Sequence, residues 1–345
     1  RGLYQAHRMR IMKKVFSMLW RVSISLVLLV ILFQKIDYKA TFKVIAHIDL
    51  AYFSLAVIIF FILEILVIYR WKMLLDAQEV GLPLSRVVSS FCGGIFLNLF
   101  LPSTIGGDIA RSVDLGTHTK RYSVIAASVL LDRLSGFAGV VLVALVSLIF
   151  GYRLFLDEPS VYLMVFIFTG LLGGLLLFIF HKGIYNWLNR TSIPKNKNAS
   201  EPAVITGLRD KIIKLHSEMH FFRSRPQVLY LNLLCSVLIQ FGCALVSYFL
   251  LLSLHAGTRI IYPLVFTPIT IIITTLPISV GGLGLRDVSS IFFYGKAGVA
   301  KDAALAQSLL TFAIMAAFSL LAGIIYVSTL HNRRLQPDQT GAGSQ

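Results

Sequence analysis

The chain has 345 residues, of which 57% are hydrophobic and only 14% charged, and its mean hydropathy is +0.79. Soluble domains average about 25% charged residues, so the composition excludes a soluble enzyme, a disordered chain and a disulfide-rich secreted scaffold. The net charge of +16 is typical of a membrane protein with basic cytoplasmic loops, and we prefer that interpretation to nucleic-acid binding.

Apolar runs close to the length that spans a bilayer as a helix recur along the chain. A basic N-terminus, residues 1–15, leads into the first run without a small-residue cleavage site, which predicts an anchor helix and not a signal peptide. The runs cover residues 18–33, 50–69, 87–101, 124–150, 161–180, 228–252, 260–276 and 303–330.

Loop charges predict the orientation. Residues 182–226 carry nine lysines or arginines against three acids, so this loop is predicted to be cytoplasmic, together with both termini. The short loop 151–160 then faces outward. With these assignments, the runs at 87–101 and 260–276 enter and leave on one side, as re-entrant hairpins over residues 86–122 and 258–300. Six full spans remain.

Two segments of the hairpins repeat each other. Residues 101–111 (LPSTIGGDIAR) align without a gap with residues 276–286 (LPISVGGLGLR), at a constant offset of 175 residues. An odd number of spans separates the copies, which predicts an inverted repeat of the kind found in secondary transporters. A structural kink at each site is the alternative.

The predicted fold is therefore an all-α polytopic membrane protein with two inverted repeats, six full spans and two oppositely oriented hairpins. The first repeat occupies residues 16–150, and the apolar helix at 151–181 opens the second. After the basic loop 182–226, residues 227–330 complete the second repeat, and residues 331–345 form a cytoplasmic tail.

The hairpin tips have the composition of an anion site. Proline ends the incoming helix, paired glycines let the chain reverse, and the outgoing helix begins near Gly107 or Gly284 with unpaired N–H groups. Arg111 and Arg286 follow about one turn later, and helix N-termini with arginines suit phosphate. Purely structural Arg–Asp pairs are the alternative. The predicted tip residues are Pro102, Gly106, Gly107, Pro277, Gly281, Gly282 and Gly284.

Other polar residues within the predicted spans are candidates for the same site, because ionisable groups at membrane depth are costly and usually functional. Glu64 is interpreted as a proton-coupling group or counter-ion, or else as a partner of Arg70 or a snorkelling side chain. Asn98 is predicted to bond the broken backbone in preference to a headgroup. The full predicted substrate-binding set is Arg111, Arg286, Asp108, Asp132, Arg133, Asp287, Glu64 and Asn98.

The basic loop also contains apolar residues at helical spacing from Ile205 to Phe222, with Arg209, Lys211 and Lys214 off that stripe. This pattern predicts an amphipathic helix on the inner leaflet or against another cytoplasmic element. His216 and His220 are four residues apart, but without a third ligand we interpret them as a solvated pair. We predict neither a metal site nor a cofactor.

Three segments, in this order, are similar to one known family. Residues 98–111 (NLFLPSTIGGDIAR), 131–134 (LDRL) and 276–287 (LPISVGGLGLRD) resemble the lysylphosphatidylglycerol synthase transmembrane-region family, also described as flippase-like or YbhN-like proteins. The resemblance extends over roughly residues 10–330. One departure is Asp287, where the family usually has glutamate, so the charge is kept.

The resemblance implies a lipid translocase in the bacterial cytoplasmic (inner) membrane that moves a phosphate-bearing phospholipid or glycolipid between leaflets. In fused relatives, a separate soluble domain aminoacylates the lipid. No such domain follows here, so we expect a transporter and not an enzyme. The alternatives are a transporter of a soluble anion and a non-catalytic membrane partner of a lipid-modifying enzyme. Membrane lipids are the expected partners, nucleic acid is not, and oligomerisation is left open.

Overall fold

The computed structural model describes residues 38–100, 105–181, 183, 213–275, 282 and 284–335. All regular secondary structure in this part of the chain is helical. The helices are α1 (Tyr38–Ala46), α2 (Leu50–Ala77), α3 (Leu84–Phe100), α4 (Ile105–Thr119), α5 (Tyr122–Phe150), α6 (Pro159–Phe180), α7 (Pro226–Ser253), α8 (Ile261–Thr275), α9 (Leu285–Lys296) and α10 (Lys301–Leu335), with a further helical segment at residues 213–221.

Five of these helices are long and apolar enough to cross a membrane, namely α2, α5, α6, α7 and α10. Their lengths range from 22 to 35 residues, and about 20 residues suffice to cross the hydrocarbon core. The prediction of an all-helical, multi-pass membrane protein is therefore confirmed. The predicted first span, residues 18–33, lies outside the described residues.

Two pairs of shorter helices lie where the hairpins were predicted. Helices α3 and α4, of 17 and 15 residues, pack against each other, as do α8 and α9, of 15 and 12 residues. At 1.5 Å per residue, each is about 18–26 Å long, shorter than the hydrocarbon core of roughly 30 Å. The residues at their tips, 101–104 and 276–281, are not among those described.

Helix packing follows the same scheme in both halves. The hairpin helix α3 packs on α10 of the other half, and α8 correspondingly packs on α5. Helices α4 and α9 each pack on the long helix that follows them, and α2 packs on α7 between the halves. This is the pattern expected for two repeats, while the inversion of one repeat relative to the membrane stays a prediction.

Small residues allow the halves to approach closely, as is common between membrane helices. A side chain at Gly242 in α7 would overlap Leu63 of α2, and one at Gly139 in α5 would overlap Ser236 of α7. Helix α7 therefore contacts both α2 and α5 of the first half. The polar side chains that these three helices carry at this depth are consequently held close together.

Two elements differ clearly from the sequence-based boundaries. Helix α1 lies in a region predicted as a loop, where Val44 and Ile45 pack against the apolar cluster formed by α2, α7 and α10. Helix α2 continues to Ala77, eight residues beyond its predicted end, because Arg70 is buried inside the protein instead of marking the membrane surface.

The basic loop contains a helix in the region where its apolar spacing predicts one. Residues 205–212 of the predicted amphipathic helix lie outside the described part, but residues 213–221 are helical. Met219 and Phe222 are buried in an apolar cluster with residues of α2, α5 and α6. The described end of the apolar stripe therefore packs on the protein itself, which was the alternative to a lipid-facing helix.

Candidate functional site

A cavity of about 180 Å³ lies between α2, the hairpin helices α3 and α4, and α5. Its walls combine apolar and glycine residues with five charged side chains, a composition that is costly inside a membrane protein unless the charges are paired or functional. The lining residues are Val67, Arg70, Phe91, Gly94, Ile95, Asn98, Gly107, Asp108, Arg111, Asp132 and Arg133.

Asp132 of α5 is the buried centre of the charge network. Its Oδ1 accepts a hydrogen bond from Arg70 Nε at 2.9 Å, and its Oδ2 accepts one from Arg111 Nη2 at 3.2 Å. Only 3% of the Asp132 side chain is exposed. One carboxylate thus joins α2, α4 and α5, and each partner lowers the cost of burying the others.

Arg70 connects this network to the second half of the chain. Its Nη1 donates to Ser236 Oγ of α7 at 2.9 Å, and its backbone oxygen accepts from Asn232 Nδ2 at 3.0 Å. Both partners are buried. Helix α7 therefore fixes the position of Arg70, and Arg70 in turn holds one side of the Asp132 carboxylate.

Arg111 of α4 is buried and incompletely paired. The residue is 4% exposed, and its guanidinium carbon lies 4.5 Å from the centre of the Trp71 ring and 5.7 Å from that of Phe91. These aromatic faces favour a cation. Its Nη1 is buried and donates to no acceptor among the described residues. Arg111 therefore keeps one donor for a group that enters the cavity.

Asp108 and Arg133 form a second, more exposed pair. Arg133 Nε donates to Asp108 Oδ2 at 2.6 Å and Arg133 Nη2 donates to Oδ1 at 3.1 Å, a bidentate geometry. Arg111 Nη2 lies 3.0 Å from the same Oδ1. The Arg133 side chain is 36% exposed and that of Asp108 is 16% exposed. We call this pair the mouth of the cavity, and Arg70, Arg111 and Asp132 its floor.

The start of α4 is fixed by a close helix crossing. A side chain at Gly107 would overlap the carbonyl oxygen of Gly94 and the amide of Asn98. The Gly107 N–H donates to Asn98 Oδ1 at 2.8 Å. Asn98 thus forms a hydrogen bond with the backbone, as the sequence analysis prefers. The bond differs from the expected one, because Asn98 accepts from an N–H group at the start of α4 and does not donate to a free carbonyl group. This amide of α4 is already satisfied and is not left for a ligand.

Charge and geometry together make the cavity a candidate anion site. Three guanidinium groups face two carboxylates within it, a formal surplus of one positive charge. The floor is shielded from water, so electrostatic attraction there is stronger than at a surface. A single anionic group in contact with Arg111 would neutralise the surplus and satisfy the remaining donor.

The second predicted arginine lies in a different cluster, on α9 and α10. Arg286 Nε donates to Ser308 Oγ at 2.9 Å, and Ser308 Oγ donates to Asp287 Oδ1 at 2.5 Å. The Gly284 N–H donates to Asp287 Oδ2 at 3.0 Å, which caps the start of α9. Arg286 Nη2 lies 3.7 Å from Asp287 Oδ1 but, like Arg111 Nη1, is buried without a hydrogen-bond acceptor among the described residues. Neither Arg286 nor Asp287 lines the described cavity.

The glycines of the second tip that the structure describes have left-handed backbones. Gly282 has φ +75° and Gly284 has φ +77°, a conformation that L side chains rarely adopt. At the first tip, Gly106 and Gly107 lie inside α4, which begins at Ile105. Pro102, Pro277 and Gly281 lie outside the described residues.

Glu64 is half-buried in α2, apart from the cavity lining. It forms no ion pair with any residue that the structure describes, and Arg70, its predicted alternative partner, bonds Asp132 and Ser236 instead. The proton-coupling role of Glu64 stays a prediction.

The histidine pair was interpreted wrongly in one respect. His216 is buried, its Nε2 lies 3.3 Å from the Phe178 carbonyl oxygen, and its ring stacks on His220 with centroids 6.3 Å apart. His216 therefore packs against α6 and is not solvated, whereas His220 is partly exposed. Among the described residues, no group of three or more histidine, cysteine or acidic side chains has the arrangement of a metal site.

Arg70 is the cavity residue that sequence reasoning missed. The positive charges at Arg70 and Lys72 follow an apolar run, a pattern that ordinarily marks the end of a membrane helix. A signal was nevertheless present, because Arg70 and Trp71 lie three and four residues after Val67, on the same face of the helix. Arginine on such an apolar face indicates a buried partner.

Comparisons with known proteins agree with this architecture. The family described as "Lysylphosphatidylglycerol synthase TM region" matches residues 18–323. A relative described as a UPF0104 membrane protein, from Pyrococcus horikoshii, is 22% identical over 330 residues, which cover 91% of this chain and 97% of the relative. No solved structure matches the chain significantly. Because the family match extends over most of the sequence, the chain belongs to the lysylphosphatidylglycerol synthase transmembrane-region family.

Proposed function

We propose that this protein is a lipid translocase, which moves a phosphate-bearing lipid between the leaflets of the cytoplasmic membrane and is not itself an enzyme. The observation that carries the proposal is the buried guanidinium of Arg111, which lines a cavity with a surplus positive charge and whose Nη1 has no acceptor among the described residues. A buried donor without a partner costs free energy, and an anionic ligand removes that cost.

A lipid headgroup suits this site better than a large soluble substrate. The cavity of about 180 Å³ has room for a phosphate and part of a headgroup but not for acyl chains, which would stay in the bilayer. Arg111 and Arg133 bind the phosphate, while Asp132 and Arg70 hold Arg111 in position. Arg286, Asp287 and Glu64 do not line this cavity, so we propose their contribution to lipid transport separately from that of the cavity residues.

We propose the inner membrane as the location, with both termini in the cytoplasm and membrane lipids as partners. The basic residues of loop 182–226 support this orientation through the positive-inside rule. A lipid-modifying enzyme remains a candidate partner, since the family name refers to a lipid synthase.

The test is leaflet exchange in reconstituted liposomes. The purified full chain is inserted into vesicles that carry fluorescently labelled phosphatidylglycerol, and a membrane-impermeant quencher reports the fraction of label in the outer leaflet over time. Arg111→Ala is expected to slow exchange at least about tenfold, because a charge-assisted hydrogen bond contributes roughly 1.5–3 kcal/mol. Arg153→Ala is the matched control, since Arg153 is exposed in an outer turn near Tyr152.

The other outcomes separate the alternatives. If Arg111→Ala folds normally and exchanges lipid at the wild-type rate, the site assignment is wrong. If the wild type moves radiolabelled inorganic phosphate into the vesicles but no lipid, the protein is a soluble-anion transporter. Arg286→Ala, measured in parallel, tells whether the second cluster takes part: loss of exchange assigns it a role, and normal exchange removes it from the site.

A further inference from the structure

The carboxylate of Asp108 occupies the position at the mouth of the cavity that an anionic ligand requires. Both of its oxygens accept from the fork of Arg133, at 2.6 and 3.1 Å, and one of them also lies 3.0 Å from Arg111 Nη2. A phosphate presents to a guanidinium the same pair of oxygens as a carboxylate. Asp108 and the ligand therefore need the same donors.

We propose that Asp108 is an internal competitor of the anion: binding exchanges the Asp108 contacts with Arg133 and Arg111 for contacts to the ligand, and this exchange sets the affinity of the site. The inference rests on the proposed anion binding and deepens it, because it names the residue that tunes affinity. The shared chemistry is a phosphate group, either in a lipid headgroup or free.

The two acidic residues of the cavity differ in their ability to take part in such an exchange. Asp132 is 3% exposed and held from both sides by Arg70 and Arg111, so moving it would leave buried charges uncompensated. Asp108 is 16% exposed, and its main partner Arg133 is 36% exposed. An ion pair that already contacts solvent separates at a smaller desolvation cost.

The local structure also permits Asp108 to move. It lies in the first turn of α4, where the Gly107 N–H is bonded by Asn98 and not by Asp108. The start of the helix therefore keeps this cap when the carboxylate turns away. Since the displaced carboxylate stays close to the bound anion, like-charge repulsion lowers the affinity of the wild-type site.

Ligand binding by the full-length protein in an uncharged maltoside detergent tests the proposal. The probe is fluorescent phosphatidylglycerol, and inorganic phosphate is added as a competitor. Asp108→Asn is expected to bind the lipid about tenfold more tightly, because the like charge beside the ligand is removed. Asp108→Glu, which keeps the competing charge, is expected to bind like the wild type.

Asp76→Asn is the matched control. Asp76 is exposed on α2 and forms its ion pair with Lys72, outside the cavity lining. The affinity of this variant for the lipid is expected to equal that of the wild type. If Asp108→Asn does not fold, Asp108→Ser removes the same charge and retains a hydroxyl group suited to a helix N-terminus.

Each remaining outcome decides a different point. If inorganic phosphate displaces the lipid, and the inhibition constant of phosphate is lower for Asp108→Asn than for the wild type, the site recognises the phosphate group alone. If phosphate does not compete, the ligand is the lipid headgroup. If Asp108→Asn binds phosphatidylglycerol as the wild type does or more weakly, while Arg111→Ala loses binding, competition is wrong and the anion site stands. If Arg111→Ala retains wild-type binding, the proposed function itself fails.

Discussion

At the scale of single residues, the position of one buried carboxylate determines the whole cavity. Asp132 neutralises Arg70 and Arg111 at the same time, and these three side chains come from three different helices. Without it, Arg70 would be buried with no carboxylate partner among the described residues, and Arg111 would keep only Asp108. In the second half, Arg286 instead bonds Ser308 of α10 and lies beside Asp287 of its own helix.

Replacement of Asp132 by asparagine is expected to destabilise the protein strongly. Breaking one member out of a buried ion-pair network costs about 3–5 kcal/mol, because the remaining charges lose their counter-ion. Thermal and denaturant unfolding of the purified protein in detergent measures the loss. Asp76→Asn is the control, since Asp76 is exposed and pairs with Lys72 one turn away; its effect should stay below about 0.5 kcal/mol. If Asp132→Asn and Asp76→Asn reduce the free energy of unfolding equally, the ion pairs of Asp132 do not stabilise the protein.

At the scale of helices, the crossing of α3 and α4 forms the wall of the cavity. Gly94 and Gly107 bring the two backbones together, and Asn98 bonds across the crossing. Near the other end of the pair, Arg86 Nη2 donates to Asp114 Oδ1 at 3.2 Å. The hairpin is therefore held at two levels, and Arg111 projects from a fixed helix towards α5.

Gly107→Ala is expected to disturb this crossing. The added methyl group would overlap the Gly94 carbonyl oxygen and Asn98, and such overpacking typically costs about 1–3 kcal/mol. Gly170→Ala provides a matched comparison within α6, because a methyl group there meets no atom within 4 Å. That change should leave stability unchanged or raise it by up to about 1 kcal/mol through helix propensity. The midpoint temperature of thermal unfolding distinguishes the two variants. If Gly107→Ala is as stable as the wild type, α3 and α4 can move apart at little cost.

The sequence predicted the helical elements well and their ends less well. The apolar runs at 50–69 and 228–252 correspond to α2 and α7, because a bilayer requires about 20 apolar residues in sequence. The predicted end of α2 was eight residues too early, since the sequence pattern of a charged residue next to an apolar run is the same whether the charge faces water or a buried partner. Only the contact of Arg70 with Asp132, 62 residues later, separates the two cases.

At the scale of the whole molecule, loops from both halves meet at one end of the helix bundle. Arg121, before α5, donates to the backbone oxygens of Gln78 and Glu79 after α2. Arg225, before α7, forms an ion pair with Glu79. Near the other end of α5, Lys296, the last residue of α9, forms an ion pair with Glu158, which directly precedes α6. The basic end is the one that the loop charges predict to be cytoplasmic.

Cysteine accessibility tests this orientation. The three native cysteines, in α3 and α7, are first replaced by alanine. A cysteine placed at Ser224 is then expected to react with an impermeant maleimide only from the cytoplasmic side, and one placed at Asp157 only from outside, because arginine-rich loops are retained in the cytoplasm. Cells labelled intact and after permeabilisation provide the measurement. The reverse labelling pattern would show that the protein has the opposite orientation in the membrane.

The sequence by itself determined that this protein is a helical membrane protein with two short helix pairs, and it identified Arg111, Asp108, Asp132, Arg133 and Asn98, which share one cavity. These features depend on composition and on local spacing, which act within a few turns of helix. The tertiary structure decided that Arg70 completes the site and that Arg286 lies in another cluster. Such pairings depend on how helices far apart in the chain pack, because a buried charge is stabilised by whichever opposite charge the fold brings next to it.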